Sequence, residues 1–188
     1  MYKVLKMSEL PPSNPEQSDN DISLNGSEQG IILAVGLSQY CVPILQVSTI
    51  IEYERPTTIP HSPRYVEGAI NLRGNIIPVV NLGTYLDVEP TPDLDHRYVV
   101  IAETPDPNDA QEIIVFGLLI DKVVRIFDMA ARTVQPISAD GGKSDLSGLV
   151  MLGGEDGKSA AEMIGVLDLA AIAAQVKGKP AGLSSMEF

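Results

Sequence analysis

The side chains in this sequence that could support metal or acid–base chemistry are few and scattered. His61 and His96 are the only histidines, and each stands among loop-forming residues. A metal site needs several histidine, cysteine or carboxylate ligands at close spacing, and a nucleophilic site needs a serine or cysteine with a histidine and an orienting acid. Neither pattern occurs locally, so the sequence predicts no catalytic residue, no metal site and no cofactor.

Three further features resemble chemical motifs without their context. Cys41 is the only cysteine and lies in a strand-like run, which is typical of a buried thiol; one cysteine allows no internal disulfide and fits a reducing compartment. Residues 153–159 are glycine-rich, but they carry two acids and lack the strand–loop–helix context of a phosphate loop. Asp121 ends an apolar run, where a carboxylate most often accepts hydrogen bonds from a turn.

Composition narrows the class of protein and its partners. With 188 residues, 44% of them hydrophobic and 20% charged, the chain fits one globular domain or two small ones. A net charge of -12 with no basic stripe argues against nucleic acid as a partner. The longest apolar run, residues 113–120, is too short to cross a bilayer, so we expect a cytoplasmic protein without direct membrane insertion.

The most informative stretch is residues 62–82. Ser62 followed by Pro63 predicts the start of a short helical turn, and Gly68 predicts its end. Two apolar runs follow, and Gly74-Asn75 between them is typical of the two-residue turn of a β-hairpin.

The predicted register of this hairpin pairs Arg73 with Ile76 and Ile70 with Val79. Because side chains alternate along a strand, one face is then wholly apolar and belongs to the core. It consists of Ile70, Leu72, Ile77 and Val79. The opposite face mixes a guanidinium, an amide and aliphatic groups, which favours a contact surface. It consists of Asn71, Arg73, Ile76, Pro78 and Val80.

The remaining pattern predicts about ten short strands and few helices, which favours small antiparallel β-barrels. We expect strands over residues 30–37 and 40–47, a short helix or turn over 46–50, and helices capped by Asn81 and Asp168. Further strands are expected over 98–103, 112–121, 122–128, 148–152 and 162–167, with a solvated hairpin loop over 104–111. Residues 8–28 are polar and poor in aliphatics, which predicts a mobile tail.

Residues 68–74, two further residues and then residues 77–82 resemble the central signature of CheW-like domains. The signature reads Gly-Ala-Ile-Asn-Leu-Arg-Gly and then Ile-Pro-Val-Val-Asn-Leu. The resemblance extends over about residues 29–177, with tails expected over 1–28 and 178–188. It implies a mainly β fold of two small SH3-like five-stranded antiparallel β-barrels with a few short helices and a groove between them.

The resemblance also implies a function. CheW-like proteins are non-catalytic adaptors that couple the cytoplasmic tips of methyl-accepting chemoreceptors to a CheA-type histidine kinase, at membrane-associated receptor arrays. Family positions that contact these partners correspond here to Val47, Thr49, Gly68, Arg73 and Gly74. The predicted outward face of the hairpin adds Asn71 to this set of protein-binding residues. Signal passes through differential binding, with no bond made or broken.

Three residues depart from the family pattern. Thr49 stands where the family often has an acid, and Asn81 and Gly83 stand where it usually has an acid and an arginine. An adaptor of a pilus-motility or other chemosensory pathway therefore stays open as an alternative. A rival of another class is a small-molecule-binding or hydrolytic β-barrel with Arg73 as an anion anchor. A concave pocket holding Arg73 with a histidine or carboxylate would favour this rival, and an exposed Arg73 beside aliphatic groups favours the adaptor.

Overall fold

The computed structural model describes residues 2–5, 29–89, 91, 96–129, 134–136, 145–152 and 162–177. Within these ranges the chain forms twelve strands, two α-helices and one 3₁₀ turn, Ile44–Gln46. In chain order the strands and helices are β1 (Val4–Leu5), β2 (Gln29–Val35), β3 (Ser38–Pro43), β4 (Val47–Glu52), β5 (Val66–Leu72), β6 (Asn75–Asn81), α1 (Leu82–Tyr85), β7 (Tyr98–Asp106), β8 (Asp109–Ile120), β9 (Lys122–Asp128), β10 (Val134–Pro136), β11 (Leu146–Leu152), β12 (Glu162–Leu167) and α2 (Leu169–Lys177).

Sheet 1 has the strand order β1-β4-β7-β8-β6-β5. Its pairs are antiparallel except β6 with β8, which run parallel with Val79 opposite Gly117. The segment after β4 returns to β5, where Thr57 and Ala69 exchange two backbone hydrogen bonds of 2.9 and 2.8 Å. This return curls sheet 1 towards a closed barrel, because it joins the β4 side of the sheet to its opposite end.

Sheet 2 has the strand order β10-β11-β12-β3-β2-β9. Again one pair, β12 with β3, is parallel, with Gly165 opposite Tyr40. The turn from β2 to β3 passes through Gly36, whose φ is 59°. Glycine suits this turn because its backbone adopts positive φ without steric cost. The prediction of this turn at Ser38-Gln39 was wrong by two residues, because both residues already belong to β3.

The apolar core has three parts, and alternation along the strands decides which residue joins which part. In β2, Ile31 and Leu33 point into a large cluster built from both sheets and α2, whereas Ile32 points into a smaller cluster of sheet 2. In β4, Ile50 joins the shared cluster and Ile51 a smaller cluster of sheet 1. Each sheet therefore buries both faces, one within itself and one against the other sheet.

The mainly β fold is confirmed, and its two halves differ in detail from the expectation. Each sheet has six strands rather than five within the described residues, and each contains one parallel pair. The sixth strand is short in both cases: β1 extends sheet 1 and β10 extends sheet 2. Removing these two edge strands leaves the five-stranded arrangement that the family resemblance implies.

Strand β1 falls inside the range expected to be a tail. Val4 lies opposite Ile51 and Leu5 opposite Ile50, so residues 2–5 belong to sheet 1. Residues 6–28 and 178–188, which carry the rest of the predicted tails, lie outside the described residues. The tail boundaries at 28 and 178 stay a prediction.

Several local expectations were wrong, and in two of them strand pairing prevailed over local turn or loop signals. Ser62 does not cap a helix; its hydroxyl donates back to the Ile59 carbonyl at 2.9 Å, within a series of turns. The short helix or turn expected over 46–50 lies earlier in the chain, as the 3₁₀ turn Ile44–Gln46, and Val47–Glu52 forms β4 because β-branched residues favour a strand. The expected loop over 104–111 is a continuation of β7 and β8, joined by a tight turn at Pro107-Asn108.

The two expected helices are confirmed. Asn81 caps α1 by accepting a hydrogen bond of 3.0 Å from the Thr84 amide, and Asp168 caps α2 through 3.0 Å from the Ala171 amide. Helix α2 follows sheet 2 in the chain but packs against β7 of sheet 1. Within the described ranges, neither helix has the length and apolar character that a bilayer-spanning segment requires.

Candidate protein-interaction surface

The tip of the β5–β6 hairpin is a tight turn centred on Arg73 and Gly74, whose φ values are 55° and 92°. Leu72 and Asn75 pair on either side of it. Two consecutive positive φ values are the mark of the primed turns that match the twist of a hairpin. The Asn71 side-chain oxygen accepts a hydrogen bond of 2.9 Å from the Gly74 amide, which holds the turn in this conformation.

The predicted turn was therefore wrong by one residue, and the predicted register by two. Ile70 lies opposite Ile77 rather than Val79, and Asn71 lies opposite Ile76 rather than Pro78. Because side chains alternate with a period of two, a shift of two residues leaves every side chain on its predicted face. The apolar face is thus in the core as expected; its members are Ile70, Ile77 and Val79, which are buried, and Leu72, which is partly buried.

The opposite face of the hairpin is exposed near the tip and buried at its base. Asn71 and Arg73 are exposed, and 79% of Ile76 is exposed although it is a large aliphatic residue. Val80 on the same face is fully buried in the cluster between the sheets, so its assignment to a contact surface was wrong. The available surface is accordingly limited to the hairpin tip.

The Arg73 side chain projects from this tip without an intramolecular partner among the described residues. An exposed guanidinium keeps its five hydrogen-bond donors available for a carboxylate or carbonyl of another molecule. Ile76, which lies opposite Asn71, offers an exposed aliphatic surface whose burial would favour association. Arginine next to apolar area is a typical composition for the centre of a protein interface.

Gly68 lies elsewhere, at an irregularity in the pairing of β5 and β6. It is buried, its φ is 151°, and a Cβ atom added to it would come within 2.4 Å of the Thr57 carbonyl oxygen. The close approach of the returning segment to β5 therefore requires glycine here.

Val47 and Thr49 lie on β4, where both are partly buried. Val47 pairs with Ala102 and Thr49 with Ile101 of β7, with Ser48 at a bulge between them. In the strand order of sheet 1, β7, β8 and β6 separate β4 from β5. The structure thus brings Asn71, Arg73 and Gly74 together at one tip and places Val47 and Thr49 on a separate strand.

Sequence reasoning missed a polar cluster that joins the two sheets. The Tyr85 hydroxyl donates to the Asp145 carboxylate at 2.6 Å, and its ring meets Tyr65 edge to face with centroids 5.1 Å apart. The Tyr65 hydroxyl in turn donates to the Gln175 carbonyl of α2 at 3.3 Å. Burial, and then the hydrogen bond to Asp145, raise the pKa of Tyr85. No spacing in the sequence signals these contacts, because they join residues far apart in the chain.

The histidines, the cysteine and Asp121, which were considered for chemistry, are each exposed, buried or hydrogen-bonded in a way that fits a structural role. His61 and His96 are exposed, and His61 sits in a turn with φ of 60°. Cys41 is buried with no exposed surface, and burial raises the pKa of its thiol to about 12, so the reactive thiolate is scarce at neutral pH. Asp121 accepts hydrogen bonds from the Gly36 amide at 2.7 Å and the Thr91 hydroxyl at 2.8 Å, as expected of a turn carboxylate. Residues 153–159 lie outside the described residues.

A family model described as CheW-like domain matches residues 29–177. Because this match spans most of the chain, the chain belongs to the CheW-like domain family. The resemblance carried by residues 68–82 is thereby confirmed.

Related proteins carry names from chemotaxis. Probable chemotaxis protein CheW of Rhizobium etli is 33% identical over 122 residues, which are 63% of this chain and 74% of that protein. Chemotaxis protein CheW of Rhizobium meliloti is 31% identical over 133 residues, or 69% of this chain and 81% of that protein. Protein PilI of Pseudomonas aeruginosa is 28% identical over 97 residues, or 52% of this chain and 51% of that protein.

A solved structure has the same fold. The scaffolding protein TtCheW of Thermoanaerobacter tengcongensis superposes with a TM-score of 0.62 at 22% sequence identity, covering 84% of this chain and 99% of that chain. This similarity concerns the fold, and it identifies the pair of packed β-sheets as the family architecture.

Proposed function

We propose that this chain is a non-catalytic chemotaxis adaptor that couples the cytoplasmic tips of chemoreceptors to a CheA-type histidine kinase. The observation that carries the proposal is the hairpin tip, where Arg73 is exposed on a turn held by Asn71, and Ile76, which lies opposite Asn71, is exposed as well. Membership of the CheW-like family and the chemotaxis names of its relatives support it. Its place of action is the receptor array at the inner side of the membrane.

The proposed mechanism is binding alone. The Asn71–Gly74 hydrogen bond fixes the turn before a partner arrives, so little backbone freedom is lost on association. Arg73 then pairs with an acidic or carbonyl group of the partner while Ile76 is covered. A change in receptor state that alters this contact changes the kinase through packed interfaces, by as much as the two states differ in binding free energy.

Val47 and Thr49 on β4 form a second contact region in this proposal. They belong to a different strand from the hairpin tip, and this strand gives the chain a second contact with its partners. Thr49 offers a hydroxyl where the family often has a carboxylate, so this region binds through hydrogen bonds and apolar contact. Gly68 supports the arrangement by allowing the close return of the chain to β5.

The experiment that tests the proposal compares Arg73→Glu with Arg64→Glu. Both arginines are exposed, so the two substitutions change the charge equally, but only Arg73 is at the hairpin tip. We expect Arg73→Glu to weaken binding to the kinase regulatory domain or to the receptor tip by at least about tenfold, which is about 1.4 kcal/mol. The reason is that the complex would bury a carboxylate against the acidic or carbonyl group with which the arginine pairs. Arg64→Glu should change affinity by less than about twofold. Titration calorimetry gives both values.

Two results would count against the proposal. One is wild-type protein that binds no chemosensory kinase or receptor tip of its host. The other is an Arg73→Glu variant that binds as tightly as wild type while Arg64→Glu does not.

An adaptor of a pilus-motility or other chemosensory pathway is the second candidate, and the similarity to Protein PilI is the observation that favours it. The same hairpin surface would serve there with a different kinase. Titration against the regulatory domain of each chemosensory kinase of the host separates the two pathways. A small-molecule-binding or hydrolytic barrel is disfavoured, because Arg73 is exposed and none of the described histidines or carboxylates bonds to it.

A further inference from the structure

The β5–β6 hairpin is attached to the rest of sheet 1 near its base rather than near its tip. Strand β6 pairs with β8 through Val79, Val80 and Asn81, and within the described residues this pairing does not extend to the tip. On the other side of the hairpin, Thr57 bridges to Ala69 of β5. The direction in which the tip projects is therefore set by contacts at the base.

Glu67 lies at an irregularity in this base. The pairing of β5 with β6 shifts register between Val66 and Gly68, so Glu67 is the extra residue of a β-bulge. A bulge bends the strand that contains it and turns a side chain in a new direction. The contacts that hold Glu67 therefore affect the angle at which the hairpin leaves the sheet.

Two donors from other parts of sheet 1 bond to the Glu67 carboxylate. The Asn81 side-chain amide donates to Oε2 at 3.2 Å, and the Tyr53 hydroxyl donates to Oε1 at 3.3 Å. Burial, and then the charge of Glu67, raise the pKa of Tyr53, so its hydroxyl is protonated and able to donate at neutral pH. The carboxylate thereby joins the bulge of β5 to the end of β6 and to the segment after β4.

Asn81 uses each of its polar groups at this base. Its backbone amide donates to the Tyr65 carbonyl at 2.7 Å, and its side-chain oxygen accepts a hydrogen bond of 3.0 Å from the Thr84 amide to cap α1. Its side-chain nitrogen is the donor that faces Glu67. The position requires one acceptor and one donor, which the carboxamide of asparagine supplies and a carboxylate does not.

We propose that Glu67 and Asn81 are positioning residues for the proposed interaction surface, and that their hydrogen bond sets the direction of the hairpin tip that carries Arg73. This inference rests on the proposed function, because it assigns the kinase contact to that tip. When the bond is broken, the base is free to change its angle, and the tip has the binding orientation for a smaller fraction of the time. The apparent dissociation constant for the kinase rises in inverse proportion to that fraction.

The test compares Asn81→Asp with the exchanged pair Glu67→Gln/Asn81→Asp. Asn81→Asp keeps an oxygen that caps α1, but it places a second carboxylate against Glu67, so the bond between them is lost. The exchanged pair has the net charge of wild type, and the new glutamine amide donates to the new carboxylate while its oxygen still accepts from Tyr53. Gln135→Glu is the matched control, because Gln135 is exposed on β10 of the other sheet and the change adds the same charge as Asn81→Asp.

Binding of the regulatory domain of the host CheA-type kinase is measured by calorimetry, and hydrogen exchange of the amide at position 81 reports whether the base of the hairpin is closed. We expect Asn81→Asp to bind about three- to tenfold more weakly than wild type, and its amide at position 81 to exchange faster. The exchanged pair should return both values to within about twofold of wild type. Gln135→Glu should match wild type in both measurements.

Two outcomes overturn the inference while leaving the proposed function intact. One is an Asn81→Asp variant that binds the kinase domain as tightly as wild type, whatever its urea midpoint, because the bond would then have a structural role only. The other is an exchanged pair with wild-type hydrogen exchange at position 81 that binds as weakly as Asn81→Asp. Where Asn81→Asp does not fold, Glu67→Met removes the same bond without adding a charge, and wild-type affinity in that variant overturns the inference equally.

Failure of the proposed function gives a different result. Wild type then binds no kinase domain of the host, and the role of the bond in binding falls with the proposed function. Faster hydrogen exchange at position 81 in Asn81→Asp, reversed in the exchanged pair, would still show that the bond between Glu67 and Asn81 holds the base of the hairpin.

Discussion

Arg73 adopts a backbone conformation that residues other than glycine rarely adopt. Its φ of 55° costs free energy for a residue with a Cβ atom, and the Asn71 side chain compensates by bonding to the next amide. Gly74 follows at φ 92°, where an added Cβ atom would meet nothing within 4 Å. The turn is therefore held by the Asn71 hydrogen bond rather than by packing around Gly74, and it leaves the surface of the tip free for contact.

A substitution at Gly68 distinguishes a structural role, which affects stability, from a contact role, which affects partner binding. We expect Gly68→Ala to destabilise the fold by about 1–3 kcal/mol, because a Cβ atom at φ 151° would lie 2.4 Å from the Thr57 carbonyl oxygen. Gly74→Ala is the control, since it has a positive φ and open space and should cost about 1 kcal/mol. Urea denaturation followed by circular dichroism measures both.

The role of Gly68 follows from whether the Gly68→Ala variant loses stability or loses binding to the kinase. A Gly68→Ala variant that keeps its urea midpoint but no longer binds the kinase would make Gly68 a contact residue and contradict a backbone role. Loss of stability with unchanged binding by the folded fraction would support it.

Residues whose role depends on their neighbours in the chain were predicted well. Asn81 and Asp168 cap their helices, because a cap requires only a short polar side chain directly before the first helical turn. Asp121 also accepts hydrogen bonds as predicted, but its partners are distant in the chain. The assignment of Val80 to the surface was wrong because Val80 is buried in a cluster that the second sheet helps to form. Local pattern contains no information about that contact.

At the scale of elements, the β5–β6 hairpin shows which part of a prediction survives an error. Gly74-Asn75 has the better intrinsic turn propensity, but the observed turn uses Arg73-Gly74 and relies on the side chain of Asn71. The faces were nevertheless assigned correctly, because an even shift in register preserves alternation. Hydrophobic alternation is thus a more reliable signal than the position of the turn.

The β7–β8 hairpin extends beyond its predicted length because of a contact that the local sequence does not reveal. Residues 104–111 contain prolines and acids that are typical of a loop. Asp106 is nevertheless 3% exposed, and Lys177 at the end of α2 forms ion pairs with it at 2.5 Å and with Glu112 at 2.6 Å. Asp106 also accepts a hydrogen bond of 2.7 Å from the Asn108 amide, which shapes the turn.

This contact predicts an acid-sensitive attachment of α2. The hydrogen bond from Lys177, and then that from the Asn108 amide, hold the pKa of the Asp106 carboxyl below its usual range. A carboxylate with a lowered pKa contributes stability above its unfolded pKa and loses that contribution as the pH falls through its folded pKa. Asp106→Asn should therefore lower the urea midpoint at pH 7, and its difference from wild type should shrink in acid.

Urea midpoints at several pH values between neutral and strongly acidic measure this effect. Glu103→Gln serves as the control, because Glu103 is an exposed carboxylate on the same strand. A difference between Asp106→Asn and wild type that stays constant with pH would show that the ion pair is not its origin.

For the whole molecule, the path of the chain matters more than the count of strands. Sheet 2 takes β2 and β3, the chain then builds most of sheet 1, and it returns to sheet 2 at β9. Helix α2 follows sheet 2 but packs on sheet 1. The sequence predicts small barrels from its many short strands, but it does not reveal these crossings, because parallel pairing of β3 with β12 joins distant segments.

Because the two sheets share a core, we expect them to unfold together, with the Tyr85–Asp145 hydrogen bond as one of the links. Tyr85→Phe should lower stability by about 1 kcal/mol, since it removes a single hydrogen bond and leaves the ring in contact with Tyr65. Tyr98→Phe is the control, because its hydroxyl has no hydrogen bond among the described residues. Calorimetric unfolding measures both, and an unchanged Tyr85→Phe variant would exclude this link.

The burial of Cys41 has a practical consequence for fluorescence work on the protein. Its thiol has no exposed surface and a pKa raised to about 12, so maleimide dyes at neutral pH should leave the native chain unmodified. A cysteine introduced by Ile76→Cys would then be the single site of conjugation, without any need to remove the natural one. A dye there would report directly on whether the hairpin tip is occupied.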